Sequence, residues 1–331
     1  MAAVSIPINW ADYRAEFPTL ARTTFLNTCS LGALSRRSRA AVGAFLDLWE
    51  EHGAAAWYRT WLGEAAALRA GFERLVNGAP GSVALAPSVG VALGVVASCY
   101  DYGARRRVIT TALDFPTIPH QWLVRPGVEV VILPSDDGIG VPLERYAQAI
   151  DERTALVATS HVFFTSGYVQ PIGEIARLAH AAGAHVLIDG YQAAGHRDQF
   201  AFDAEHFAYH DDARRFEVGT PAVAAVYAAR AGLDLVLEIG PERIRARTQA
   251  LVADLVARLR DAGAELKLPA NPSEHAGIVM LRADDPPAIV RSLRERRIVV
   301  DYRPGFVRIS PYFYNDEDDN AALVTALAAI G

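Results

Sequence analysis

The chain has 331 residues and a single lysine, Lys267, although lysine and arginine together number 32. Its two cysteines, Cys29 and Cys99, are too few for a disulfide framework or a zinc cluster. No apolar run is long enough to cross a bilayer, and the N-terminus lacks the basic start and apolar stretch of a signal peptide. The net charge of −6 gives no basic footprint for nucleic acid. These absences predict a cytoplasmic protein that binds neither nucleic acid nor membranes.

Apolar residues make up 51% of the chain, which is enough to bury a large core. Predicted strands recur roughly every 25 residues, the length of a βα unit, and therefore favour a mostly parallel sheet with crossover helices. These strands are Ser82–Ala86, Arg107–Thr111, Glu129–Leu133, Ala155–Ser160 and His185–Asp189. The predicted helices are Ser35–His52, Trp57–Asn77, Ser88–Tyr100, Pro116–Val124, Pro142–Ile150 and Pro171–Ala182.

The pattern changes after Asp189. A long helical stretch, Pro221–Ala262, is followed by a compact α+β tail. The predicted tail elements are strand Gly277–Leu281, helix Pro287–Arg297, strands near Val299 and Val307, and helix Asp316–Ile330. The acidic run in this last helix is typical of a helix N-terminus, where carboxylates complement the dipole, rather than of a metal site.

Ser88 opens a helix directly after the first predicted strand. The N–H groups and the positive dipole end of such a helix bind anions such as phosphate, and Gly90 keeps its first turn slim. An ordinary helix cap is the alternative explanation of the same residues.

The run "AHVLIDGYQAAG" delivers Asp189 to the rim of the predicted sheet, and Gln192 follows three residues later. A carboxylate beside a basic ring nitrogen keeps that nitrogen protonated, which makes the ring an electron sink. Phe115 leaves another strand and could stack on a flat ring, while His161 could contact the ring or a substrate. The alternatives are an acid that caps a helix, a core phenylalanine and a histidine bonded to backbone. These residues all follow strand ends, where open α/β sheets bind ligands.

Five segments together resemble the class V aminotransferases: "FLNTCSLGALSRRSRAAV", "DFPT", "SHVFFTSGYVQPIGEIARLAHAAGAHVLIDGYQAAG", "ARRFEVGTP" and "VRISPYFYND". These fold-type I enzymes use pyridoxal 5'-phosphate (PLP) and include cysteine desulfurases, selenocysteine lyases, kynureninases and isopenicillin N epimerase-like proteins. The resemblance implies a three-layer α/β large domain with a mostly parallel sheet at 31–235, and a small α+β domain at 236–331. It also implies an N-terminal segment, 1–30, over the active site, and a homodimer.

The resemblance assigns residues to the phosphate and the ring of the cofactor. Ser88 and the backbone of Val89 would bind the PLP phosphate. Phe115 would stack on the ring, as in the kynureninase-like branch. Asp189 would pair with the pyridine nitrogen, and Gln192 would face the phenolic oxygen.

The resemblance also assigns residues to the substrate and the partner subunit. Arg308 would form a bidentate pair with the α-carboxylate of an amino-acid substrate, and Asn27 would lie near the entrance. His161 would lie against the cofactor ring or act as a base. Thr220 would reach the phosphate bound by the partner subunit.

The chain departs from the family where the Schiff-base lysine is expected. The family has two further strands after the segment that resembles "QAAG", one of which leads to the lysine. Here the sequence continues from Arg197 to Asp198 into a region that resembles the family beyond the lysine, so roughly 40 residues are missing in one block. The only lysine, Lys267, lies in the tail, where the family has no catalytic lysine.

Three explanations of this departure remain open. The protein has the deletion and is an inactive homologue that binds a ligand or a dimer partner. Alternatively, the sequence omits a stretch that the gene encodes. In the third explanation the protein works without a lysine, and a histidine (His161, His196 or His210) acts as the base.

The expected function is that of a PLP-dependent lyase or aminotransferase acting on an amino acid, with turnover impaired by the missing lysine. A desulfurase also needs a nucleophilic cysteine in the C-terminal part of the chain. No cysteine follows Cys99, which argues against desulfurase activity through a protein persulfide.

Overall fold

The computed structural model describes residues 8–190, 211–216 and 222–330. Its strands are β1 (Thr24–Phe25), β2 (Arg107–Thr111), β3 (Glu129–Leu133), β4 (Thr154–Ser160), β5 (His185–Asp189), β6 (Leu266–Lys267), β7 (Val279–Arg282), β8 (Ile298–Val299), β9 (Asp301–Arg303) and β10 (Phe306–Ile309). Its α-helices are α1 (Trp10–Ala15), α2 (Arg36–His52), α3 (Leu62–Val76), α4 (Val89–Ser98), α5 (Thr117–Leu123), α6 (Leu143–Ala149), α7 (Ile172–Ala181), α8 (Val223–Ile239), α9 (Pro241–Asp261), α10 (Pro286–Glu295) and α11 (Glu317–Ala328).

The chain divides into two compact units. The first comprises Met1–Asp47, Asp234–Lys267 and Gly277–Gly331, and the second comprises Leu48–Leu233 and Leu268–Ala276. We call them the small unit and the large unit. None of the described helices is long and apolar enough to span a membrane.

The large unit contains a parallel four-stranded sheet in the order β3-β2-β4-β5. The direction in which successive strands are added reverses between β2 and β4. β3 is added on the outer side of β2, whereas β5 is added on the outer side of β4. In open α/β sheets such a reversal creates a crevice at the carboxyl ends of the two strands. The predicted α/β class and mostly parallel sheet are confirmed.

Helices cover both faces of this sheet. Ile109 and Val157 pack in a buried cluster that includes Ile175 of α7, while Val108 and Leu156 pack in another that includes Trp122 of α5. Neighbouring residues in a strand point to opposite faces, so β2 and β4 contribute to both clusters. The result is a three-layer arrangement with a buried sheet in its centre.

The prediction of a strand at Ser82–Ala86 is wrong. This segment has no regular secondary structure, although Ala84 is buried. A strand requires a neighbour with which to exchange backbone hydrogen bonds, and none of the described strands pairs with these residues.

Within its described residues, the predicted helical stretch Pro221–Ala262 consists of two helices, α8 and α9. Gly240 has a positive φ of 94° and ends α8, and Pro241 occupies the first turn of α9. Glycine tolerates this conformation without a steric penalty, whereas proline starts a helix readily because its missing N–H needs no partner there.

The small unit contains an antiparallel sheet in the order β6-β7-β10-β9 and a parallel pair, β1 and β8. Its aromatic core joins Phe17 to Phe313 and Tyr314, with ring centroids 5.9 and 4.5 Å from Phe17. The chain that continues after β1 lies beside the residue that follows β10, because Asn27 forms a parallel β-bridge with Ser310.

Candidate active site

Two of the predicted cofactor residues lie at adjacent strand ends in the large unit. Asp189 is the last residue of β5 and is paired with Ser160, the last residue of β4. The backbone N–H of His161 donates a hydrogen bond to the carbonyl oxygen of Asp189 at 3.0 Å. The parallel pairing of β4 with β5 therefore brings His161 and Asp189 to the same edge of the sheet.

Ser88 caps α4 in the way that the sequence predicts for a helix start. Its Oγ accepts a hydrogen bond from the N–H of Val91 at 3.2 Å, and its backbone is extended. Helix geometry provides no intrahelical acceptor for the N–H groups of Val89 and Gly90, so this end attracts an anion. A Cβ placed on Gly90 would lie 3.6 Å from Cγ2 of Thr117, so α4 begins beside the start of α5.

Phe115 lies between the end of β2 and the start of α5. Its side chain is 47% exposed, and its ring centroid is 5.2 Å from that of Phe164 in an edge-to-face arrangement of 70°. An aromatic side chain left half exposed beside a helix N-terminus suits a planar ligand that carries an anionic group.

A PLP molecule fits this rim in two respects. The start of α4 suits its phosphate, and Phe115 with the strand end at Asp189 suits its ring. When bound, PLP supplies an electron sink for bonds at the α-carbon of an amino acid. Gln192 and Thr220, the other predicted cofactor residues, lie outside the described residues, as does the Arg197–Asp198 junction.

Arg308 is buried in the small unit, with 3% of its side chain exposed. Its Nη2 donates to Oδ2 of Asp301 at 2.7 Å, and Nη1 of Arg303 donates to the same oxygen at 2.9 Å. Burial pushes the pKa of Asp301 upward, but the hydrogen bond from the Tyr302 N–H and the two arginine charges outweigh it and leave that pKa below its usual value.

The segment Asn27–Ser30 lies beside the end of β10, which carries Arg308. The N–H of Cys29 donates to Oγ of Ser310 at 3.3 Å. Burial raises the pKa of the Cys29 thiol, an effect that the nearby Arg308 charge only partly offsets. The thiol is therefore protonated at neutral pH and is a poor nucleophile.

Lys267 belongs to β6 of the small unit. Its ammonium group lies 5.4 Å from the centroid of the Phe306 ring, in a cation–π arrangement. Among the described residues, no group of three or more His, Cys, Asp and Glu side chains could hold a metal ion.

Sequence reasoning missed two acids that the structure places beside predicted site residues. Asp301 pairs with Arg308, and Asp114 is buried next to Phe115. The sequence offered a signal for Asp114, because a charged residue three positions after a buried strand needs hydrogen-bond partners. Asp301 had none, since its partner is found only by strand pairing.

Two family models match the chain. The model described as aminotransferase class-V matches residues 64–203, and that of the kynureninase C-terminal domain matches residues 242–327. Among characterised folds, the cystine C-S lyase C-DES, in a complex with its product cysteine persulfide, has a TM-score of 0.85 at 21% identity. That similarity covers 94% of this chain and 99% of C-DES.

Relatives by sequence extend over nearly the whole chain. An uncharacterized aminotransferase, YcbU, of Bacillus subtilis is 29% identical, with 96% of this chain and 97% of YcbU covered. A kynureninase of Bacillus anthracis is 22% identical, with 93% and 88% covered. The alignment with YcbU spans 363 positions, more than the 331 residues of the chain, so YcbU has residues without a counterpart here. Residues 64–203 are thus similar to the class V aminotransferase family, and a solved structure with the same fold holds a PLP cofactor.

Proposed function

We propose that this protein binds PLP at the rim formed by β2, β4, β5 and the start of α4, and acts there on an amino acid. The reaction is of the lyase or aminotransferase type, with turnover reduced because no Schiff-base lysine is available. The observation that carries the proposal is the adjacency of Ser88, Gly90 and Thr117, which brings an anion-binding helix end next to Phe115.

Each proposed contact has a distinct physical role. Ser88 and the N–H of Val89 hold the phosphate, and Phe115 stacks on the ring. Asp189 stabilises the protonated pyridine nitrogen, because opposite charges at a partly buried position favour each other. In the small unit, Asp301 orients the guanidinium of Arg308, the residue that the family resemblance assigns to the α-carboxylate of the substrate.

Lys267 is the only lysine in the chain, and its ammonium group lies over the Phe306 ring in the small unit. In a lysine-to-alanine mutant of C-DES, glycine is covalently linked to the PLP cofactor. We therefore propose that Ser88, Phe115 and Asp189 would hold PLP without a lysine linkage, which would leave its aldehyde available to the amino group of an amino acid.

Titration of the purified protein with PLP tests this proposal. We expect a saturable absorbance change that dialysis reverses, and no PLP mass on the protein after borohydride treatment. With an amino acid present, borohydride should instead yield a stable amine of PLP and that amino acid. Lys267→Arg keeps the positive charge and should behave like the wild type. A borohydride-fixed mass that Lys267→Arg abolishes would contradict a lysine-free site, and an absence of saturable PLP binding would refute the proposal.

The missing lysine favours a second candidate function, that of a catalytically inactive homologue that binds a ligand or a dimer partner. Product formation from a panel of amino acids separates the two functions. Slow, PLP-dependent release of ammonia or a keto acid supports the enzyme. Binding of PLP and amino acid without any product supports the inactive homologue. For either candidate we propose a homodimer, which sedimentation analysis would test.

A further inference from the structure

Asp114 has an unusual set of partners for an acid next to a predicted cofactor site. Its side chain is buried, and its two oxygens accept four hydrogen bonds. Oδ2 accepts from the Thr110 hydroxyl at 3.0 Å and from the Thr111 N–H at 2.8 Å. Oδ1 accepts from the Thr159 hydroxyl at 3.0 Å and from the Ser160 N–H at 2.6 Å. All four donors are neutral groups.

The carboxylate divides these bonds evenly between two strands. Thr110 and Thr111 end β2, whereas Thr159 and Ser160 end β4. The direct pairing of β2 with β4 stops at Ile109 and Val157, before either strand ends. The carboxylate of Asp114 therefore joins the two strands beyond the point where their own ladder stops. This is also where the strand order reverses.

A buried polar network supports the β4 side of this connection. Oγ1 of Thr159 accepts a hydrogen bond from Nε2 of Gln170 at 2.9 Å, and Oε1 of Gln170 accepts one from the Tyr146 hydroxyl at 2.7 Å. Tyr146, Thr159 and Gln170 are at most 2% exposed. Satisfied networks of this kind rigidify the elements they join, because every alternative arrangement leaves a buried polar group unpaired.

Two residues predicted to face the cofactor ring are chain neighbours of this hydrogen-bonded group. Phe115 directly follows Asp114. His161 directly follows Ser160, whose N–H donates a hydrogen bond to Asp114. We infer that Asp114 is a positioning residue that fixes Phe115 and His161 relative to each other by joining β2 to β4 at the switch point. The inference rests on the proposed function only for the identity of the ligand, because the four hydrogen bonds of Asp114 all lie within the chain.

Asp114→Asn is the decisive variant because it changes few atoms. An amide has one acceptor oxygen, so its NH2 group must face an N–H and a hydroxyl on one of the two strands. The backbone N–H on that strand loses its acceptor and is opposed by a donor, while the hydroxyl must turn to accept a hydrogen bond from the amide instead of donating one. We expect the apparent Kd for PLP to rise about tenfold, and amide hydrogen exchange at Thr111 or Ser160 to accelerate by a similar factor.

Asp137→Asn is the matched control. Asp137 also follows a strand of the same sheet, and its Oδ1 accepts from the N–H groups of Ile139 and Gly140 at 2.7 and 3.2 Å. These bonds stay within one loop and join no strands. The control should lose some thermal stability and retain wild-type PLP affinity. This comparison separates positioning from a general loss of stability.

The outcomes distinguish this inference from the proposed function. Unchanged PLP affinity and unchanged exchange in Asp114→Asn would overturn the inference. If the wild type binds no PLP, the proposed function fails, and exchange at Thr111 and Ser160 alone decides the role of Asp114. Should Asp114→Asn not fold, Thr159→Val removes one donor and keeps the acid. A Kd increase of about threefold, with faster exchange at Ser160, would then support the inference, and wild-type values would refute it.

Discussion

The pairing of Asp301 with Arg308 leads to a quantitative prediction about the small unit. Arg308 is 3% exposed in its side chain, whereas Asp301 retains 27% exposure. Removing one partner of a fully buried ion pair costs about 3–5 kcal/mol, because the remaining charge is left without compensation. Solvent reaches Asp301, and asparagine keeps a hydrogen-bond acceptor, so we expect Asp301→Asn to lower the free energy of unfolding by about 2 kcal/mol at pH 7.

The effect should depend on pH in one direction. The pKa of Asp301 lies below its usual value in the folded protein, so its contribution to stability is present above the unfolded pKa of about 3.9. That contribution is lost as the pH falls through the lower, folded pKa. Asparagine does not titrate, and the deficit of the variant should therefore be constant from pH 7 to about pH 5 and shrink below about pH 4.

Urea unfolding followed by far-UV circular dichroism measures this deficit over a pH series. Glu265→Gln is the control, because Glu265 forms a comparable pair with Arg282 in the same unit at 2.6 Å, with side chains 70% and 54% exposed. The control should change the unfolding free energy by less than about 0.5 kcal/mol. Equal losses in the two variants at pH 7, or a deficit that persists unchanged to pH 3, would refute the argument.

Three further predictions concern other parts of the chain. Ser88→Ala should cost about 1 kcal/mol of stability through the lost helix cap and also weaken PLP binding, whereas Ser88→Thr should restore both, as measured by thermal melting and PLP titration. At pH 7.5 iodoacetamide should alkylate exposed Cys99 well before Cys29, whose thiol pKa is raised by burial; mass spectrometry showing the reverse order would contradict this. Gly183→Ala should cost about 1–2 kcal/mol, because φ is +73° there and a Cβ would lie 2.8 Å from Nη2 of Arg105; a melting temperature equal to that of the wild type would disprove it.

Local patterns predicted most of the secondary structure correctly. Strands β2, β3 and β5 have the predicted bounds, and β4 begins one residue earlier. A buried strand shows a short run of apolar side chains within a few residues of one another, and this local pattern can be read from the sequence. The segment Ser82–Ala86 has the same apolar composition, but its conformation depends on a neighbouring strand, and the sequence does not display that partner.

The sequence by itself determined the family resemblance, the residue types available for a phosphate and a ring, and the presence of a single lysine. Only the tertiary structure decided which groups meet. Asp114 and Ser160 are 46 residues apart in the chain, yet the N–H of Ser160 donates a hydrogen bond to Oδ1 of Asp114 at 2.6 Å. Periodicity is a property of neighbours along the chain, whereas a hydrogen bond between two strand ends depends on sheet order and register, which are fixed by the packing of the whole unit.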